Sequence, residues 1–279
     1  MQYGITLPNF GLGGDARTLG EVAVAAEESG WHGLFIWDHL QWPNVEPCVD
    51  PWVALGFIAS QTNRIRIGTL ITPLPRRDIA KLARETVSVD RLSGGRLVLG
   101  AGLGFPTIPE YSGFGHETDL KIRGEMLDEG LELLAALWSG APVKHEGKHY
   151  QVQCEGFAPP VQSPRIPVWV AGMWPSVKPF RRAAQWDGVV PVSRKVLERE
   201  QLGPAEIAEI LEHIGRARSS TEPYAVALSG STADAEGRAR LVACAEAGAN
   251  WWIEDGTRLM RSRETLLDRI KQGPPRLPE

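Results

Sequence analysis

Gly33-Leu34-Phe35-Ile36-Trp37-Asp38-His39 is an apolar run that ends in a carboxylate and an imidazole. Leu34 to Trp37 are all apolar, which suits a strand buried on both faces, the condition of strands in a parallel sheet covered by helices. Parallel α/β folds collect their chemistry at the carboxyl ends of such strands. Asp38 and His39 stand at that end. Ionisable groups at the tip of a buried strand are costly unless something there uses a proton or a hydrogen bond.

Outward from this run, short β-branched stretches alternate with longer helical ones. Ile5-Thr6-Leu7 reads as a strand, and Leu19 to Ser29 as a helix with Val22, Ala25 and Ala26 at helical spacing, ended by Gly30. After the strand Leu34 to Trp37 come a helix from Pro51 to Thr62 and a strand from Ile65 to Leu70. The series continues with Asp78 to Leu92 (helix), Leu97 to Gly100 (strand), Thr118 to Trp138 (helix), Pro167 to Val170 (strand) and Ser176 to Gln185 (helix). Gly188 to Val190, Pro204 to Ile214, Tyr224 to Leu228, Ala235 to Ala247, Trp251 to Ile253 and Thr265 to Ile270 complete it. Strands alternating with helices imply parallel pairing, because a parallel neighbour needs a crossover. Eight units predict an α/β chain closed as a single eight-stranded (β/α) barrel of the TIM type. Residues 1–273 are expected to form that domain, and the Pro-rich residues 274–279 a loose tail. An open dinucleotide-binding sheet is disfavoured: Gly11, Gly13 and Gly14, and Gly100, Gly102 and Gly104, do not have the required spacing.

The 279 residues are 43% hydrophobic and 23% charged, with a formal net charge of -4. That balance gives no basic footprint for nucleic acid, and no segment has the ~20 apolar residues of a membrane span. The first residues read as a strand and not as a leader, so the expected location is the cytoplasm. Cys48, Cys154 and Cys244 are widely spaced and odd in number, which points to neither disulfides nor a zinc knuckle.

His145-Glu146-Gly147-Lys148-His149 matches the H-E-x-x-H pattern of zinc peptidases, which need that motif on a helix. Gly147 inside it, Pro142 before it, and Val143, Tyr150 and Val152 around it predict a hairpin instead. A zinc metallopeptidase is therefore a remote alternative, and no metal site is expected.

The strand ends can be assembled into one mouth. They supply Asn9 and Phe10, then Asp38, His39 and Trp42, then Thr69 to Pro73, then Gly102 to Tyr111, then Gly172 to Lys178. This lining is rich in glycine, aromatics and amides, which suits a large planar heterocycle. Trp174-Pro175-Ser176-Val177-Lys178 adds backbone amides, a hydroxyl and an ammonium at a helix start, a fit for phosphate.

With those residues in view, the sequence resembles the bacterial luciferase-like flavin monooxygenases and their deazaflavin-dependent relatives. The matching segments are Gly33 to His39, Arg64 to Pro73, Leu92 to Gly102, Pro167 to Gly172 and Arg182 to Gly188. The resemblance implies an oxidoreductase that uses reduced FMN or the deazaflavin coenzyme F-420 for hydride transfer or monooxygenation of a small organic substrate. It implies a cofactor bound reversibly, supplied by a reductase partner, and a homodimer. It also implies a bulge with a non-proline cis peptide within Thr69-Leu70-Ile71, against which the cofactor ring lies. The cofactor is then expected against Asn9, Thr69, Leu70, Ile71, Gly102, Gly104, Ala171, Gly172, Met173, Trp174, Ser176, Val177 and Lys178. Phe10, Trp42, Phe105 and Glu110 are expected on the substrate side. His39 is expected to be the proton donor or base and Asp38 its orienter. The sequence departs from the deazaflavin sugar-phosphate dehydrogenases at Phe105, where those carry a Glu, so glucose 6-phosphate is disfavoured as substrate. Glu110 reads as a solvated loop carboxylate. A non-catalytic flavin-binding protein stays open as the alternative, as does the choice between FMN and deazaflavin and the part played by oxygen. For the homodimer, Trp52, Val53, Phe57, Leu82, Ala83, Thr86 and Val89 are read as a second apolar stripe on two helices.

Overall fold

The computed structural model describes residues 1–41, 46–105, 110–198, 200–260 and 262–275. Acidic or hydroxyl residues begin many of the helices by accepting hydrogen bonds from the first turn. Asp15 caps α1 (Ala16–Glu28), Asp50 caps α2 (Pro51–Gln61), Asp78 caps α3 (Ile79–Ser93) and Asp119 caps α4 (Leu120–Trp138). The strands between them are β1 (Gln2–Leu7), β2 (Gly33–Ile36), β3 (Arg66–Pro73) and β4 (Leu97–Gly102). After α4 a two-stranded hairpin, β5 (Val143–Glu146) and β6 (Gln151–Cys154), interrupts the alternation. It resumes with β7 (Val168–Trp174), α5 (Lys178–Ala183), β8 (Gly188–Ser193), α6 (Pro204–Ala217), β9 (Ala225–Gly230), α7 (Ala235–Glu246), β10 (Trp251–Asp255) and α8 (Arg263–Lys271).

The strands outside the hairpin pair in parallel and close in the order β1-β10-β9-β8-β7-β4-β3-β2. This is the eight-stranded barrel that the alternation predicts. Its interior holds Phe35, Val98, Trp169, Val190, Ala227, Trp251 and Ile253, a cluster separate from the one between strands and helices. Three rings fill the centre: Phe35 lies 5.4 Å from Trp169 and 6.0 Å from Trp251, and the two indoles are 5.1 Å apart, centroid to centroid. Room for them comes from glycine on the same inner layer, since a Cβ on Gly33 would come within 2.7 Å of the Phe35 ring and 3.1 Å of Trp251. The barrel is thus a packed core.

The hairpin reading of residues 145–149 holds. Val143 pairs with Cys154 and Glu146 with Gln151 across antiparallel strands. Its histidines face different glutamates of α4, His145 to Glu129 at 3.1 Å and His149 to Glu125 at 3.3 Å. Two other expectations are corrected. Helix α5 covers only Lys178–Ala183, shorter than the 176–185 predicted. Of the apolar stripe on α2 and α3, Trp52, Leu82, Ala83, Thr86 and Val89 are buried within the chain, while Val53 is exposed. The stretch 276–279, most of the expected tail, lies outside the described residues.

Candidate active site

His39 follows β2 and is gripped by its neighbours. Its backbone N–H donates to Asn9 Oδ1 at 3.0 Å and its carbonyl accepts from Asn9 Nδ2 at 2.9 Å. Asn9 Nδ2 also donates to the Val49 carbonyl, 2.9 Å away. Asn9 has no exposed surface, so its amide, expected to meet a cofactor, instead ties the ends of β1 and β2 to the segment before α2. The Cys48 thiol donates to the same His39 carbonyl at 3.3 Å. Burial, and then the charges of Glu110 and Asp38, push that thiol up to about 11. Phe10 and Trp37 flank the imidazole, with ring centroids 5.7 and 5.6 Å away.

The carboxylate that meets the ring belongs to Glu110 and not to Asp38. His39 Nδ1 lies 3.3 Å from Glu110 Oε1. Glu110 is 2% exposed, a correction to its reading as a solvated loop group. It also accepts from the backbone N–H groups of Leu40 (3.1 Å) and Gln41 (3.2 Å) and from the Arg76 guanidinium. Burial alone would raise the Glu110 carboxyl, but the His39 contact, the two amides and the Arg76 charge outweigh it and hold it down at about 2. Asp38 instead bonds Arg76, Nη2 to Oδ1 at 2.9 Å, and Arg77. Its Oδ2 is buried without a hydrogen-bond partner among the described residues. These two arginines, carried by the 3₁₀ turn after β3, had no role in the sequence reading. Their signal was available: two adjacent guanidiniums at a strand end demand acids, and Asp38 and Glu110 stand at other strand ends.

Next to this cluster, β3 carries a bulge. Its register against β4 shifts between Thr69 and Thr72, and the Leu70–Ile71 peptide is cis, as the resemblance implies. The Thr72 hydroxyl bonds that of Thr69 at 3.0 Å, which bonds the Gly100 carbonyl at 3.2 Å. Thr69 is fully buried, so it supports the bulge from below. Leu70 and Ile71 are half-buried and form an apolar shelf. Beside it on β4, a Cβ on Gly102 would sit 2.4 Å from Ile71 Cδ1 and 3.3 Å from Ala171. Beyond Gly102, Arg123 donates to the Gly104 carbonyl at 2.8 Å and lies 3.8 Å over the Tyr111 ring, bracing the loop from beneath. The shelf and the glycine cradle fit the edge and face of a planar tricycle.

Across the mouth, Ala171, Met173, Trp174, Ser176 and Val177 are half-buried, Lys178 is exposed and Gly172 is buried against Phe180. The Ser176 N–H donates to the Met173 carbonyl at 3.1 Å, so that amide is not offered to an anion, while the Ser176 hydroxyl and the exposed Lys178 are polar groups of the same segment. Phe105 is exposed in the loop after β4. Trp42 lies outside the described residues. Among the described residues no group of three or more His, Cys, Asp or Glu could hold a metal ion, and no helix is long and apolar enough to cross a membrane.

Comparisons with known proteins bear on the family and the fold. The family model described as luciferase-like monooxygenase matches residues 1–272. An F420-dependent glucose-6-phosphate dehydrogenase of Gordonia bronchialis is 35% identical over 200 residues, 68% of this chain and 58% of the relative. The enzyme of that name from Amycolatopsis mediterranei is 33% identical over 197 residues, again 68% and 58%. The match therefore spans less than two thirds of the length of these relatives. Among solved structures, an F420-dependent secondary alcohol dehydrogenase in complex with an F420-acetone adduct superposes with a TM-score of 0.78 at 17% identity, covering 97% of both chains. Monooxygenase RslO1 from Streptomyces bottropensis gives 0.80 at 18% identity, covering 98% of this chain and 97% of that one. At such identities the likeness is one of fold.

Proposed function

The chain belongs to the luciferase-like monooxygenase family, and from that premise we propose that it is an oxidoreductase in which a reduced flavin-type cofactor, F420 or FMN, acts on a small organic substrate beside His39. The observation that carries this reading is a proton-bearing ring fixed at the end of β2, next to the Leu70–Ile71 shelf at the end of β3. The names of the sequence relatives favour the deazaflavin. Leu70, Ile71, Gly102, Gly104, Ala171 and Met173 would cradle the ring system. Trp174, Ser176, Val177 and Lys178 would hold the phosphate end. The cofactor supplies the redox chemistry when bound.

The chain's own residues do the rest. His39 takes or gives the proton that accompanies the redox step. Asn9 and Cys48 hold its backbone, and Asp38 holds Arg76 and Arg77 in place. Phe10, Trp37 and Phe105 would be the apolar side chains on the substrate side. Phe105 stands where a carboxylate would be expected for a sugar phosphate, so an uncharged substrate is the better fit. A cofactor that comes and goes requires a separate reductase, and the reading places the protein in the cytoplasm as a homodimer.

Titration of the purified protein with FMN and with F420 tests this. Saturable binding of one of them is expected, with oxygen-independent turnover for the deazaflavin or oxygen uptake for reduced FMN. Binding of neither would overturn the reading and leave an interaction protein. Binding without turnover on any alcohol, carbonyl or aromatic tested would favour the non-catalytic alternative.

A further inference from the structure

We propose that Glu110 is the positioning residue that keeps the His39 proton on Nδ1 and so presents Nε2 as the atom that exchanges a proton with the substrate. This rests on the reading of His39 as the proton carrier and adds which nitrogen acts and what decides it.

Glu110 receives hydrogen bonds from the Leu40 and Gln41 amides and from Arg76, all of which favour the ionised form. An ionised carboxylate only accepts. The nitrogen that faces it, Nδ1 at 3.3 Å, must therefore carry hydrogen, and in the neutral ring Nε2 is then the basic atom. Glu110 does not reach this place by chance. Arg76 bonds both Glu110 and Asp38, so the turn after β3 locks the loop after β4 to the end of β2.

The charged groups of this cluster are Asp38, Glu110, Arg76 and Arg77, two of each sign, with Asp50 3.9 Å from Arg77 at the half-exposed edge. Cys48 faces His39 as a neutral thiol. If the oxidised form of the cofactor took a hydride from an alcohol carbon, the O–H proton would pass to Nε2, and the carbonyl product would form with both hydrogens accounted for. Carbonyl reduction runs the same transfers backward. The imidazolium formed in the first case lies against an anion that is already in place, which is the role an orienting carboxylate has in acyl-transfer triads.

The ring can be read directly, without cofactor, by nitrogen NMR of the histidine-labelled full chain, with His39→Gln to assign the signal. Well above the ordinary imidazole pKa of about 6.5, the expected spectrum shows a protonated Nδ1 and a bare Nε2. Glu110→Gln should shift the ring toward the Nε2–H form, because an amide can donate to Nδ1. With substrate it should lower kcat by ~100-fold with KM little changed and displace the pH profile. Arg76→Gln, which disturbs the same buried cluster but leaves the carboxylate, should keep the Nδ1–H tautomer. A wild-type ring protonated on Nε2, or an unchanged tautomer in Glu110→Gln, overturns the proposal; should Glu110→Gln fail to fold, the wild-type spectrum decides alone. Failure to bind FMN or F420 would sink the proposed function and not this assignment, since the spectrum is taken without either.

Discussion

Asn9 does for the backbone of His39 what Glu110 does for its ring. Replacing Asn9 by Ala would leave the His39 N–H and the Val49 carbonyl short of partners beside a site with no exposed surface, and the His39 carbonyl with the Cys48 thiol. The expected cost is ~2–4 kcal/mol, which for a chain of this size lowers the thermal midpoint by ~5 °C or more. A midpoint within a degree of wild type would show that water or Cys48 takes over the bonds. His39→Ala keeps the same backbone bonds, so its midpoint should barely move while turnover falls by ~100-fold or more; undiminished turnover would remove His39 from the chemistry. Acid titration reads Glu110. Its carboxyl lies at about 2 against the usual 4.5, so the folded state holds fewer protons there than the unfolded chain. Its contribution to stability is complete above the unfolded value and is lost as pH falls from about 4.5 toward 2. Glu110→Gln should flatten that part of the stability curve, and an identical acid limb in both proteins would deny Glu110 its share. At this scale the sequence displayed the actors without their pairing. Asp38 and His39 are adjacent in the chain, which makes them look like partners, yet successive residues at a strand end point different ways. His39 meets an acid 71 positions on, a contact only the closed barrel creates.

Elements were the most legible level, because alternation of apolar runs depends on local patterning that the barrel then rewards. Every expected strand forms, but several run further toward the mouth than their apolar core. β3 reaches Pro73, β4 Gly102 and β7 Trp174. The extra residues are where polar and small side chains line the ligand space, so hydrophobic periodicity stops before the strand does. α5 ends at Ala183, two residues short of its pattern at that end. Asp187 accepts from the Val168 N–H at 2.8 Å, anchoring the start of β8 to β7. The bulge of β3 invites a test at Gly102. Gly102→Ala would place its methyl 2.4 Å from Ile71 Cδ1, forcing that side chain off its position on the shelf. Ile71 is flexible at its tip, so stability should drop by no more than ~1–2 kcal/mol. Cofactor affinity should fall ~10-fold or more, since the shelf and the cradle move together. Equal Kd values for mutant and wild type, read by fluorescence titration, would place the ring elsewhere in the mouth.

For the whole molecule, the closed barrel turns five separate strand-end signals into one site, and it also decides what is left over on the outside. Burial of Trp52, Leu82, Ala83, Thr86 and Val89 within the chain removes most of the apolar stripe that sequence alone offered as an interface. What survives is a groove of about 580 Å³ between α2 and α3, lined by Trp52, Val53, Gly56, Val89 and Leu92, with Val53 64% and Leu92 55% exposed. Asp50, Lys81, Arg84 and Glu85 line it too. Both signs of charge on one patch allow pairing with a copy of itself across a two-fold axis, as an isologous dimer needs. Such an interface would also reach the active site through α2. Asp50 caps that helix and stands 3.9 Å from Arg77, which bonds Asp38. Light scattering at micromolar concentration should therefore return about twice the 30.6 kDa chain mass. Val53→Glu, which puts a charge into the apolar centre of the groove, should give the single-chain mass with an unchanged fold. A wild-type protein that scatters as a monomer, or a Val53→Glu variant that stays dimeric, would move the interface away from α2 and α3.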